Sequence, residues 1–89
     1  MIERQVEIVN RLGLHARAAA KLVHRASAFE SRIFLLKDGE EVDAKSILGI
    51  LLLAAAQGTH ITLRIEGRDE GDAMLALTEL IANRFDEEA

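Results

Sequence analysis

The sequence predicts a two-layer α+β domain in the order β-α-β-β-α-β-α, with its helices on one face of an antiparallel sheet. Three observations carry that prediction. Residues 2–8 and 61–66 alternate apolar and polar side chains with a period of two, as half-buried strands do. Three other stretches read as helices, each with a candidate start or stop residue. Between two short β-prone runs lies Asp38-Gly39, the strongest short-range hairpin signal.

Taken in order, Ile2, Arg4, Val6 and Ile8 alternate with Glu3, Gln5 and Glu7 in the first strand, and Asn10-Arg11-Leu12-Gly13 breaks it. The first helix is expected from Ala16 to about Ala28, with Ala19, Leu22, Val23 and Ala26 inward. Arg32 to Lys37 and Glu40 to Asp43 form the hairpin. Ser46 is a suitable N-cap for a second helix running to Gln57, where Gly58 would stop it. Ile61, Leu63 and Ile65 face inward from the last strand. Asp69 can cap a third helix that buries Ala73, Leu77, Leu80 and Ile81, and the tail Asp86-Glu87-Glu88 is expected to be frayed and solvated.

Composition removes several function classes. The 89 residues suit one domain, with 49% hydrophobic and 29% charged residues, a balance that excludes a disordered chain. The absence of cysteine excludes a disulfide scaffold, a thiolate zinc site and a cysteine nucleophile. A net charge of −4 and 3% aromatic residues argue against a nucleic-acid partner, which would need basic and stacking surfaces. The longest apolar run, Ile47 to Ala56, is too short to span a bilayer. No secretory signal is recognisable in Met1-Ile2-Glu3-Arg4-Gln5. The expectation is a soluble, cytoplasmic monomer with no membrane partner. His15, His24 and His60 have no ligand-like spacing, so neither a metal site nor a cofactor is expected.

The most informative stretch is Gly13-Leu14-His15-Ala16-Arg17. Gly13 lets the chain turn sharply and sets His15 at the mouth of the first helix. The first helical turn leaves backbone N–H groups unsatisfied, and the helix dipole places partial positive charge there. An anion site results, built from the N–H groups of Ala16, Arg17 and Ala18, to which the Arg17 guanidinium adds a planar donor fork. An imidazole nitrogen facing this mouth can attack a phosphoryl group whose oxygens the N–H groups then receive. On spacing alone, a histidine beside a helix start is more often a capping or surface residue.

A second motif adds weight. With Leu12-Gly13-Leu14-His15-Ala16-Arg17 and, further on, Lys45-Ser46-Ile47 and Gly49, the whole chain resembles the HPr family, the histidine-containing phosphocarriers of the bacterial phosphoenolpyruvate-dependent phosphotransferase system. The resemblance implies an open-faced β-sandwich, with a four-stranded antiparallel sheet and three helices on one side. It implies that His15 accepts a phosphoryl group on Nδ1 from phosphorylated enzyme I and passes it to an enzyme II A-component, with Arg17 steadying the group. Such a protein is a carrier rather than an enzyme. It also implies regulation at Ser46 by an HPr kinase/phosphorylase, although Ser46 read by itself is an ordinary N-cap. Many members carry proline where Ala18 stands; alanine there, with the ending Ala82-Asn83-Arg84-Phe85-Asp86, looks like the nitrogen-related branch, and the choice between that branch and sugar uptake stays open.

The second helix is apolar on two faces, Ile47, Ile50, Leu53 and Ala54 on one and Leu48, Leu51, Leu52 and Ala55 on the other. An outer helix needs only one apolar stripe, so Leu48, Leu51 and Leu52 are expected to be exposed and to mark a partner surface. The family docks partners on this helix start and on the outer face of the first helix. The expected contact set is Ala20, Lys21, His24, Ile47, Leu48, Gly49, Leu51 and Leu52. Arg17, Lys21 and His24 form a basic stripe suited to an acidic partner. A purely regulatory docking module switched at Ser46 is the alternative; an RNA- or ligand-binding domain lacks support from the outward residues Glu3, Gln5, Glu7, Thr62, Arg64 and Glu66.

Overall fold

The computed structural model describes residues 1–87. β1 (Ile2–Glu7), α1 (Ala16–Ala26), β2 (Arg32–Lys37), β3 (Glu40–Asp43), α2 (Ile47–Leu52), β4 (His60–Glu66) and α3 (Glu70–Ala82) follow in the expected order, and a 3-10 turn, Arg84–Asp86, comes after the last helix. The strands form one antiparallel sheet in the order β1-β4-β2-β3. Register aligns Ile33 with Ile65, Leu35 with Leu63, and Val6 with Ile61, so one parity of side chains meets the helices. Ile33, Leu35, Ile61, Leu63 and Ile65 are buried on that face.

Against them pack Ala18, Ala19, Leu22 and Ala26 of α1, Ile50 of α2, and Ala73, Met74, Leu77, Leu80 and Ile81 of α3. The other face stays open and polar. There Arg64 pairs with Glu41 and lies over the Phe34 ring, 5.3 Å from its centroid, while His60 faces Glu7 at 3.8 Å. Asp38 and Gly39 have φ of 49° and 84°, the two positive values that a two-residue hairpin with matching twist requires.

Several expectations need correction. α2 ends at Leu52, five residues before Gln57. Ala54 turns to φ 51°, and the Ala55 carbonyl accepts the Leu14 N–H at 2.9 Å instead of continuing the helical ladder. Propensity in Ala54-Ala55-Ala56 favours helix, but a tertiary hydrogen bond to the β1–α1 loop wins. Gly58 therefore stops no helix; its N–H donates to the Ile8 carbonyl in the turn before β4. α1 stops two residues before Ala28, within the usual fraying of helix ends. The two faces assigned to the second helix also shift, since Ile47 and Ala54 are exposed and Ala55 is buried.

Asp69 occupies the N-cap position of α3 without capping it. Its carboxylate instead accepts from the hydroxyl of buried Ser31 and from the N–H groups of Ser31 and Glu30, at 3.0 and 2.9 Å. Those bonds, the Ser31 hydroxyl first, hold the Asp69 carboxyl below the usual aspartate range. Across the turn that precedes α3, Glu70 is held low by the Met1 ammonium and then by the Gly67 N–H.

The segment after α3 is folded against the domain rather than frayed. Arg84, Phe85 and Asp86 have φ of 58°, 54° and 59°, the left-handed region. Three such residues cost on the order of 1 kcal/mol each. Burying the Phe85 ring contributes about 2–3 kcal/mol, and the Lys21 ammonium adds a bond of about 1 kcal/mol or more by donating to the Phe85 carbonyl at 2.7 Å. Asp86 is exposed as expected, but Glu87 is half-buried beside His15; Glu88 lies outside the described residues.

Candidate functional site

The β1–α1 loop is built to aim one side chain. Asn10 is buried; its amide donates to the Gly13 carbonyl at 2.7 Å, and the Gly13 N–H returns a bond to the Asn10 carbonyl at 3.1 Å. Gly13 has φ 66°, and its α-carbon lies so close to the α2–β4 loop that an added Cβ would stand 2.5 Å from the Ala55 oxygen. Leu14 is then pinned to that same oxygen, and the next residue is His15.

His15 is the N-cap of α1, with φ −77° and ψ 177°. The first helical bond runs from the Ala19 N–H to the His15 carbonyl, 2.8 Å, leaving the preceding N–H groups outside the ladder. Nδ1 accepts from the Arg17 N–H at 3.3 Å, so this nitrogen carries the lone pair and the ring hydrogen sits on Nε2. The expected N–H cradle is thus partly used: the Arg17 N–H is given to the imidazole itself, by a long bond that little would break. On the far side of the ring, Nε2 lies 3.6 Å from Oε1 of Glu87. The His15 side chain keeps 29% of its surface exposed.

His15 opens onto a cleft of about 680 Å³ between Leu12, Arg17, Lys21, Asp86 and Glu87. The Arg17 side chain is exposed at its rim and also borders a neighbouring groove with Lys21, His24, Arg25 and Asp86. Of the basic stripe, Arg17 and His24 are open to solvent, whereas Lys21 is committed to the Phe85 carbonyl. Ala20 is exposed on the same helix.

Ser46 caps α2, accepting the Gly49 N–H at 3.1 Å. Gly49 packs closely: a Cβ there would stand 3.2 Å from the Val42 side chain and 3.4 Å from the Ser46 hydroxyl oxygen. Beyond the cap, α2 exposes Leu48 at 69% and Leu52 at 67%, with Ile47 and Leu51 also open. Leu12, exposed at 64% on the His15 loop, joins this set of exposed large apolar residues. Sequence reasoning missed Leu12, Asn10 and Glu87 as neighbours of the site. Leu12 stood in a motif and was legible; the others depend on turns that bring separate segments together. Among the described residues no group of histidine and carboxylate side chains could hold a metal ion. Among the described residues no helix is long and apolar enough to cross a membrane.

The molecule is an open-faced sheet covered on one side by three helices, with a histidine capping the first of them. Over residues 2–83 the chain matches the family described as "PTS HPr component phosphorylation site". It is 56% identical over 88 residues to a phosphocarrier protein HPr of Xylella fastidiosa, covering 99% of each chain, and 52% identical over 87 residues to one of Cupriavidus necator, covering 98% of each. Its coordinates superpose on those of an HPr from Thermoanaerobacter tengcongensis with a TM-score of 0.96, at 48% identity and complete coverage of both. The chain belongs to the HPr family, the phosphocarrier proteins of the phosphotransferase system.

Proposed function

We propose that this phosphocarrier takes a phosphoryl group on Nδ1 of His15 from phosphorylated enzyme I and hands it to an enzyme II A-component, working as a cytoplasmic monomer. The observation that carries the reading is the direction of the imidazole, whose Nδ1 lone pair faces the open N–H end of α1. When Nδ1 bonds to phosphorus, its long bond from the Arg17 N–H is lost. That N–H and those of Ala16 and Ala18 are then free for the phosphoryl oxygens, and the exposed Arg17 guanidinium can fold over the cleft to complete the anion site. The arrangement is moderate by design, because a carrier must also release its cargo.

Docking on both partners is assigned to Ala20, Lys21 and His24 of α1 and to Ile47, Leu48, Gly49, Leu51 and Leu52 of α2. The exposed leucines supply desolvation, and the basic side chains supply steering toward acidic surfaces. Ser46 is assigned as a regulatory phosphorylation site for an HPr kinase/phosphorylase. A phosphate there suits a helix start but places negative charge inside the docking surface.

The test is incubation with enzyme I and labelled phosphoenolpyruvate. Label should enter the wild-type protein, be lost in acid and survive base, as a histidine phosphoramidate does. His15→Ala should take none while keeping its circular dichroism. Label that persists in that variant, or an unlabelled wild type, would sink the reading.

A further inference from the structure

The His15 ring has a second polar neighbour, which the transfer step as described leaves idle. The left-handed turn at Arg84–Asp86 delivers Glu87 to the side of the ring opposite the helix mouth, with Oε1 3.6 Å from Nε2. That separation is too long for a hydrogen bond, and it becomes a charge contact only when the ring is cationic. The Glu87 side chain is only 14% exposed, and Oε1 is buried with no hydrogen-bond partner among the described residues. A buried carboxylate oxygen without a donor is unfavourable, yet a turn with three positive φ values holds it there.

We propose that Glu87 is a positioning residue, the counter-ion of the His15 ring in its phosphorylated form, which keeps the hydrogen on Nε2 and so keeps the phosphoryl group transferable. The proposal rests on the reading of His15 as the acceptor. In the transfer, the Nδ1 lone pair forms the new N–P bond while the N–P bond of the donor phosphohistidine breaks and its electron pair returns to the donor ring. No proton needs to move, so Nε2 keeps its hydrogen and the His15 ring is left cationic. A cationic imidazole is a far better leaving group than a neutral one loaded with the same phosphate, and a carboxylate beside Nε2–H favours the cation. The other charged groups around the ring are Arg17 and Lys21 of α1 and Asp86 of the turn; Arg11 and Arg84 flank Glu87 from outside. Lys21 is spent on the Phe85 carbonyl, and Glu87 is the carboxylate in contact with Nε2.

The experiment labels wild type, Glu87→Gln and Glu87→Asp with enzyme I and phosphoenolpyruvate, removes the donor, and follows loss of label between about pH 5 and 10 while recording the ring nitrogen resonances. In Glu87→Gln the midpoint of the pH profile should move down by about one pH unit, and the ring should lose its Nε2 hydrogen over the same lower range. Glu87→Asp should move by less. Superimposed profiles, or equal displacements in the two variants, would overturn the role of Glu87 while leaving His15 as the acceptor. A wild type that takes no label would overturn both readings together.

Discussion

At the scale of single residues, the loop before α1 concentrates the strictest demands. Gly13 combines a left-handed backbone with contact against the Ala55 oxygen, so any side chain meets both strain and a backbone atom that cannot step aside. Gly13→Ala should cost at least about 2 kcal/mol, read as a lower urea midpoint at unchanged slope. Some of this was legible in advance. Gly13 and His15 stand in a motif, and the N-cap place of His15 follows from where helical spacing begins. The role of Asn10 was not, because its side chain matters through a hydrogen bond within a turn whose shape no periodicity encodes. Glu87 was hidden more deeply. It reaches His15 only because three residues that would ordinarily avoid positive φ adopt it, under the pull of a buried phenylalanine.

At the scale of elements, the strands were the most readable parts. β1 and β4 were legible from their period of two, and β2 and β3 from β-prone runs on either side of the Asp38-Gly39 turn; β2 and β4 bury one parity of side chains, while β3 buries none. Helix ends were less readable, since what ends α2 is a bond from another segment and what stands before α3 is an aspartate engaged elsewhere. That aspartate has a measurable consequence. A carboxyl whose folded pKa lies below its unfolded one contributes stability above the unfolded value, and the contribution disappears as pH falls through the folded value. Asp69 and Glu70 are both held low, so the thermal midpoint should drop as pH falls below about 4. Asp69→Asn should lower the midpoint at neutral pH and flatten the acid-side fall. A variant as stable as wild type at pH 7 would show that the clasp between α3 and the α1–β2 loop is idle.

At the scale of the whole molecule, one side of the helical layer is wet and basic and the adjoining surface is apolar, while the open sheet face is laced with charge. The exposed leucines of α2 lie outside the core, so substituting them tests the proposed docking apart from folding. Leu48→Ser should leave the unfolding free energy within about 0.5 kcal/mol of wild type while raising the concentration of enzyme I needed for half-maximal labelling by about tenfold. An unchanged requirement would move the docking surface elsewhere. Two-faced apolarity in so short a helix was the readable clue, since a residue that neighbours cannot cover has to be outside.

The Ala55 carbonyl, bonded to the Leu14 N–H, has a mechanical corollary. It rivets the far end of the α2 platform to the backbone immediately ahead of His15. On the proposed docking, a protein seated on the leucines would bear on a segment that is tied by this bond to the backbone one residue ahead of the imidazole.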